Sequence, residues 1–117
     1  MSIVRRFEER SHSFRQVQGG QGEAEFRAIL ENQEELLGKG RLFSHVKLEK
    51  GCSMGWHVHQ NEGEAYYILK GTGEYSDNGN IVPVSAGDVT MVYPGEGHSL
   101  VNIGEETLEL IALIIFE

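Results

Sequence analysis

From residue 51 onward the chain is punctuated by glycine, at Gly51, Gly55, Gly63, Gly71, Gly73, Gly79, Gly87, Gly95, Gly97 and Gly104. The stretches between these glycines are short and rich in Val, Ile, Tyr, Leu and Thr, and nothing after residue 40 sustains a 3.6-residue apolar period. Short β-prone segments at roughly 8–12-residue spacing with turn signals between them read as an all-β sandwich or barrel. The expected strands are Ala24–Leu30, Arg41–Leu48, Trp56–His59, Ala65–Lys70, Gly73–Ser76, Ile81–Val84, Asp88–Tyr93, His98–Asn102 and Thr107–Phe116. Asp77-Asn78-Gly79-Asn80 is a hairpin signal, since Asn and Gly tolerate the positive φ that such turns require. Ser85-Ala86-Gly87-Asp88 reads as a second turn, and Asn32 to Leu37 as one helical turn.

At 117 residues the chain suits a single domain, residues 1–117. Its first 22 residues, polar and ending in Gln18-Gly19-Gly20-Gln21-Gly22, read as an N-terminal arm, loosely ordered or docked on a partner subunit. The final segment, Leu108 to Phe116, is apolar on both faces. A strand of that kind in so small a chain points to a subunit interface, hence to a homodimer.

The formal charge is −8, from 10 basic and 18 acidic residues. That balance argues against nucleic acid, whose phosphates need a basic face, and against an anionic membrane surface. The longest apolar run is Leu110 to Phe116, where a membrane span needs roughly 20 residues. The lone cysteine, Cys52, has no internal partner and no basic neighbour, so an inert thiol and a cytoplasmic location are expected.

The chemistry concentrates in three stretches. In Trp56-His57-Val58-His59 the period of a strand sends both histidines to one face, about 7 Å apart along the backbone. Glu64 follows after the turn Gln60-Asn61-Glu62-Gly63, and Pro94-Gly95-Glu96-Gly97 delivers His98 at the mouth of a later strand. Three imidazoles and one carboxylate are donors suited to a divalent transition metal. Each piece alone is weak; a His-x-His pair in a strand is more often an ordinary half-buried pair.

The spacing of the whole set is more specific. Gly51, five residues, His57-x-His59, four residues, Glu64, six residues, Gly71 resembles the first cupin motif at every fixed position. Gly87, Gly95, His98 and Asn102 fall in register with the second motif, which departs only in having Tyr93 where its proline is expected and Pro94 one position later. The resemblance covers Gly51 to Asn102. It implies a double-stranded β-helix, or jelly-roll, barrel with a metal inside one end. By it, His57, His59, Glu64 and His98 are the ligands of one divalent ion, whether Mn, Fe, Ni, Zn, Co or Cu.

Parity within the strands carries Tyr66 inward with the histidines. Tyr66, Tyr93 and Glu62 are the candidates for proton transfer, against the blander readings of core filling for the tyrosines and a solvated turn for Glu62. Trp56 has the opposite parity to His57 and belongs outside. Asn102 reads as a backbone-bonding structural residue, and His45 and His12 as ordinary residues of a strand and of the arm. A divalent ion against one carboxylate leaves a local charge of about +1, which suits an anionic oxygen ligand. The expected function is therefore a small metal-dependent enzyme acting on an oxygen-rich small molecule, of the dioxygenase, isomerase or decarboxylase type. The alternative is a non-catalytic binding or sensor module for a sugar-like ligand, because the fold hosts both.

Overall fold

A computed structural model describes residues 2–117 and contains ten strands in two sheets. They are β1 (His12–Arg15), β2 (Ala24–Leu30), β3 (Gly40–Leu48), β4 (Ser53–Val58), β5 (Glu62–Lys70), β6 (Thr72–Asp77), β7 (Asn80–Ser85), β8 (Val89–Val92), β9 (Gly97–Val101) and β10 (Leu108–Phe116). One sheet runs β1-β2-β3-β10-β5-β8 and the other β4-β9-β6-β7, with every named pairing antiparallel. Two antiparallel sheets face to face bury their alternate residues between them. The inner positions Phe26, Val46, Leu48, Tyr66, Ile68, Leu100, Leu108 and Leu110 form one continuous core. The fold is all-β, as the strand spacing predicts, and it is the jelly roll that the resemblance implies.

Strand β10 is the central plank, paired with β3 on one side and β5 on the other. Leu108, Leu110, Ala112 and Ile114 point inward and are buried, while Ile111 and Leu113 on the outer face are half-buried and Ile115 is exposed. The Asp77–Asn80 turn closes the β6–β7 hairpin with both central residues at positive φ, 53° at Asn78 and 99° at Gly79. Leu36 N–H reaches back to the Asn32 carbonyl, so the expected helical turn forms, but it goes no further.

Residues 2–22 differ from expectation. The arm is docked on its own barrel, because β1 pairs in register with β2 and extends the six-stranded sheet. Arg5 makes a bidentate ion pair with Glu35, and the Arg10 guanidinium donates to the Ala28 and Arg27 carbonyls. Val17 then bridges to Met54, and Gly20 packs so closely on Ser53 that a Cβ would overlap its carbonyl. Polar composition concealed this docking, since it is built from ion pairs and backbone bonds instead of an apolar stripe. Its consequence is that Arg15, Val17 and Gln18 form part of the wall around the candidate site.

Candidate metal centre

His57 and His59 come from β4 and the turn after it, Glu64 from β5 and His98 from β9. The β4–β9 pairing sets His57 directly opposite His98, and β4 carries a bulge between Met54 and His57. A bulge inserts an extra residue and changes which face the following side chains meet. Met54 and His57 therefore both face the interior although an odd number of positions separates them, and Trp56 is left outside, half exposed over Gly97. Within the bulge, Gly55 lets the N-terminal segment approach, since a Cβ there would overlap the Gln18 carbonyl.

The four functional side chains converge. His59 Nε2 and His98 Nε2 each lie 3.0 Å from Glu64 Oε1, and His57 Nε2 lies 3.5 Å from it. His57 Nε2 and His98 Nε2 are 3.0 Å apart, and all four donor atoms lie within 4.8 Å of one another. Ligand bonds of about 2.1 Å meeting at right angles require neighbouring donors about 3 Å apart. His59, Glu64 and His98 are buried and His57 is half-buried.

The opposite nitrogen of each ring decides what the converging atoms are. His57 Nδ1 lies 2.7 Å from the Gly55 carbonyl, which can only accept, so the ring donates from Nδ1. His59 Nδ1 donates to Glu62 Oε2 at 2.6 Å in the same way. His98 Nδ1 meets the Tyr75 hydroxyl at 2.8 Å. The first two bonds select neutral tautomers of His57 and His59 whose Nε2 lone pairs point toward the other donors and Glu64, whereas the Tyr75 hydroxyl, able to donate or accept, leaves His98 free to take either tautomer. A shared cation relieves the repulsion among these donors, and partners of this kind fix the tautomer and direction of a ligating imidazole. The residues present fit a divalent transition metal.

The titration of the cluster agrees with its geometry. Burial would raise the Glu64 carboxyl, yet the three histidines, in the forms that carry a proton toward it, hold it far below the usual carboxylate range. Glu64 and Glu62 raise His59, whereas burial lowers His98. The Glu62 carboxyl is lowered, chiefly by Arg41 and then by His59.

The expected proton-transfer residues fare differently. Glu62 is not a solvated turn residue: it is 9% exposed, bonded to Arg41 at 2.7 and 2.8 Å and to His59. Tyr66 points inward, stacks on His98 with centroids 4.8 Å apart and directs its hydroxyl to the Met54 sulfur. Its phenol is raised well above the ordinary value by burial and by Glu64. Tyr93 is exposed and does not line the cavity beside His57, His59 and Glu64. Asn102 is structural, since its amide donates to the Leu48 and Glu106 carbonyls and its oxygen accepts from Gly104 N–H. His12 and His45 pair with Glu25 and Glu109, away from the cluster.

Two contributors escaped the sequence reading. Tyr75 lay inside an expected strand, and the only signal for it was the need of a third histidine for a partner on Nδ1. Arg15 stood in a segment read as an arm, with no spacing to tie it to His57. Arg15, Val17, Gln18, Arg41, Met54 and Tyr66 are among the residues that enclose a cavity of about 150 Å³ next to His57, His59 and Glu64.

Residues 44–115 match the model of the cupin domain family. The chain is a cupin. It is 43% identical over 113 residues, 97% of this chain and 93% of its relative, to the oxalate-binding protein of Thermotoga maritima. It superposes with a TM-score of 0.92 and 42% identity on the crystal structure of a predicted oxalate decarboxylase from Thermotoga maritima, covering 98% of this chain and 100% of that one. The polyketide cyclase RemF from Streptomyces resistomycificus, at 18% identity and a TM-score of 0.78 over 100% of this chain and 81% of its own, shares the fold alone. Within this cupin, no helix among the described residues is long and apolar enough to cross a membrane.

Proposed function

We propose that this cupin holds one divalent transition metal on His57, His59, Glu64 and His98 and binds a small carboxylate upon it, oxalate being the first to test. The observation that carries this reading is the convergence of three imidazole Nε2 atoms and Glu64 Oε1, with each ring's Nδ1 bonded from behind by Gly55, Glu62 or Tyr75. When bound, such an ion supplies Lewis acidity and positions for oxygen ligands. The adjoining cavity of about 150 Å³ is small beside the ~300–1,000 Å³ of sites for drug-sized molecules, which favours a ligand of few heavy atoms over a sugar. The names of the Thermotoga relatives point to the same ligand class.

The engagement of the candidate proton-transfer groups favours binding over turnover. Glu62 is neutralised by Arg41, the Tyr66 phenol is held protonated, and Tyr93 lies outside the cavity. The second reading, an enzyme of the decarboxylase, dioxygenase or isomerase type, is favoured by the relative described as a predicted oxalate decarboxylase. Elemental analysis of purified protein, followed by calorimetric titration of oxalate with and without chelator, tests the first. Metal-dependent binding with no release of formate or CO₂ from labelled oxalate is expected. His57→Ala abolishes tight metal binding on this account, and unchanged stoichiometry in that variant refutes the ligand assignment. We also propose a homodimer through the outer face of the six-stranded sheet, where Tyr67, Leu69, Val89 and Ile115 are exposed beside half-buried Ile111 and Leu113. Light scattering after size exclusion gives twice the mass of 13.1 kDa if this is right.

A further inference from the structure

We propose that Arg15, supplied by the N-terminal strand, is the anchor for the second carboxylate of a dianionic ligand whose first carboxylate sits at the metal centre. This rests on the reading above and specifies it further, by choosing a dicarboxylate over a monocarboxylate or a neutral molecule.

The register of β1 on β2 places Arg15 opposite Ala24, with Phe26 two residues further along the same inward face. A diagonal neighbour at that spacing is within reach of a long side chain. The Arg15 guanidinium lies 3.9 Å over the Phe26 ring, and both residues line the cavity that His57, His59 and Glu64 share. Stacking of this kind holds the planar fork in place and leaves its N–H edges free.

Those edges have no acid to bind. Among the described residues no Asp or Glu forms an ion pair with Arg15; six other Lys and Arg residues also have none, but of these seven only Arg15 lines the cavity. Arg15 is solvent-exposed on β1, at the rim of the cavity. Partial burial and repulsion from Arg41 both lower the Arg15 pKa, so the cavity wall carries two guanidinium groups close enough to feel each other. Arg41 is answered by Glu62, and Arg15 is the one whose charge remains.

Charge balance then selects the ligand. A divalent ion set against Glu64 leaves about +1, and Arg15 adds another unit, so a dianion neutralises the cavity and a monoanion does not. The bidentate edge of arginine matches a carboxylate in geometry as well as sign. A neutral sugar would leave Arg15 without a counter-charge.

The competing explanation is that Arg15 only covers Phe26, and the two differ in what they predict for ligands of different charge. The test uses the full chain loaded with Mn²⁺, with metal content checked by elemental analysis and with oxalate and acetate titrated by calorimetry. Arg15→Gln is expected to keep its metal and its affinity for acetate, while oxalate binding weakens roughly 10- to 100-fold. Arg15→Lys, which keeps the stem on Phe26 and the charge but not the fork, is expected to lose less; it also serves if the glutamine variant does not fold. Oxalate affinity that is the same in wild type and both variants overturns the role of Arg15 and leaves the metal–carboxylate reading standing. Failure of metal-loaded wild-type protein to bind oxalate at all overturns that reading, and this assignment with it.

Discussion

Tyr75→Phe removes one oxygen from the molecule and nothing else, and its effect can be worked out from a single bond. Tyr75 is 4% exposed and its hydroxyl lies 2.8 Å from Nδ1 of His98, a ring with no solvent exposure. Burial raises the Tyr75 phenol to about 12, so it acts as a neutral hydroxyl at any working pH. Metal binding requires the lone pair of His98 on Nε2, which forces the proton onto Nδ1, where Tyr75 must accept it. Without the hydroxyl that N–H is buried and unsatisfied, at a cost of about 1–3 kcal/mol. The metal-free protein has an escape. His98 can carry its proton on Nε2 and donate to Glu64 Oε1, 3.0 Å away, leaving only a bare acceptor at Nδ1. Most of the cost therefore falls on the loaded state, and metal affinity drops roughly 5- to 150-fold. Competition against a chelating dye measures the affinity, and a thermal melt of metal-free protein measures the control. An affinity within about twofold of wild type refutes the reasoning. So does a metal-free melt that falls as far as the loaded one, because the hydroxyl would then be holding the fold and not the tautomer.

Three other outcomes follow from the geometry. Adding excess divalent metal raises the melting temperature of chelator-stripped protein, and the rise disappears in His57→Ala; equal rises in both place the ion elsewhere. Gly71→Ala loses stability by 2 kcal/mol or more, roughly, because φ is +89° and a Cβ would come within 2.8 Å of the Thr107 carbonyl; denaturant melts read this directly, and a neutral result removes the strain argument. The Glu35 carboxyl, pulled down to about 2 first by Arg5, has its folded-state value depressed, so its contribution is complete above pH 4.5 and is lost as pH falls through about 2. Carbonyl-detected NMR follows that midpoint, which rises in Arg5→Gln; an unmoved midpoint means the arm is not held by this pair.

Much of the candidate site was legible in one dimension because its donors follow strand alternation and the spacing of the two cupin motifs they resemble. Alternation along a strand puts His57 and His59 together, and spacing relative to turn glycines marks Glu64 and His98. The supporting residues obey no such rule. Glu62 looked like a turn residue because its value depends on Arg41, a residue on another strand. Met54 lies inside against simple alternation because of a bulge at Gly55, and a bulge is a property of a strand pair.

What the linear order of residues determined by itself was therefore the all-β class, set by periods of a few residues, and a candidate donor set, marked by its resemblance to two cupin motifs. The tertiary structure decided the rest: Tyr75 behind His98, Glu62 behind His59, and Arg15 brought across the barrel mouth on a strand that precedes the motifs. These depend on sheet pairing between distant segments, where the partner of a hydrogen bond or a charge is chosen by register and burial and not by neighbours in the chain.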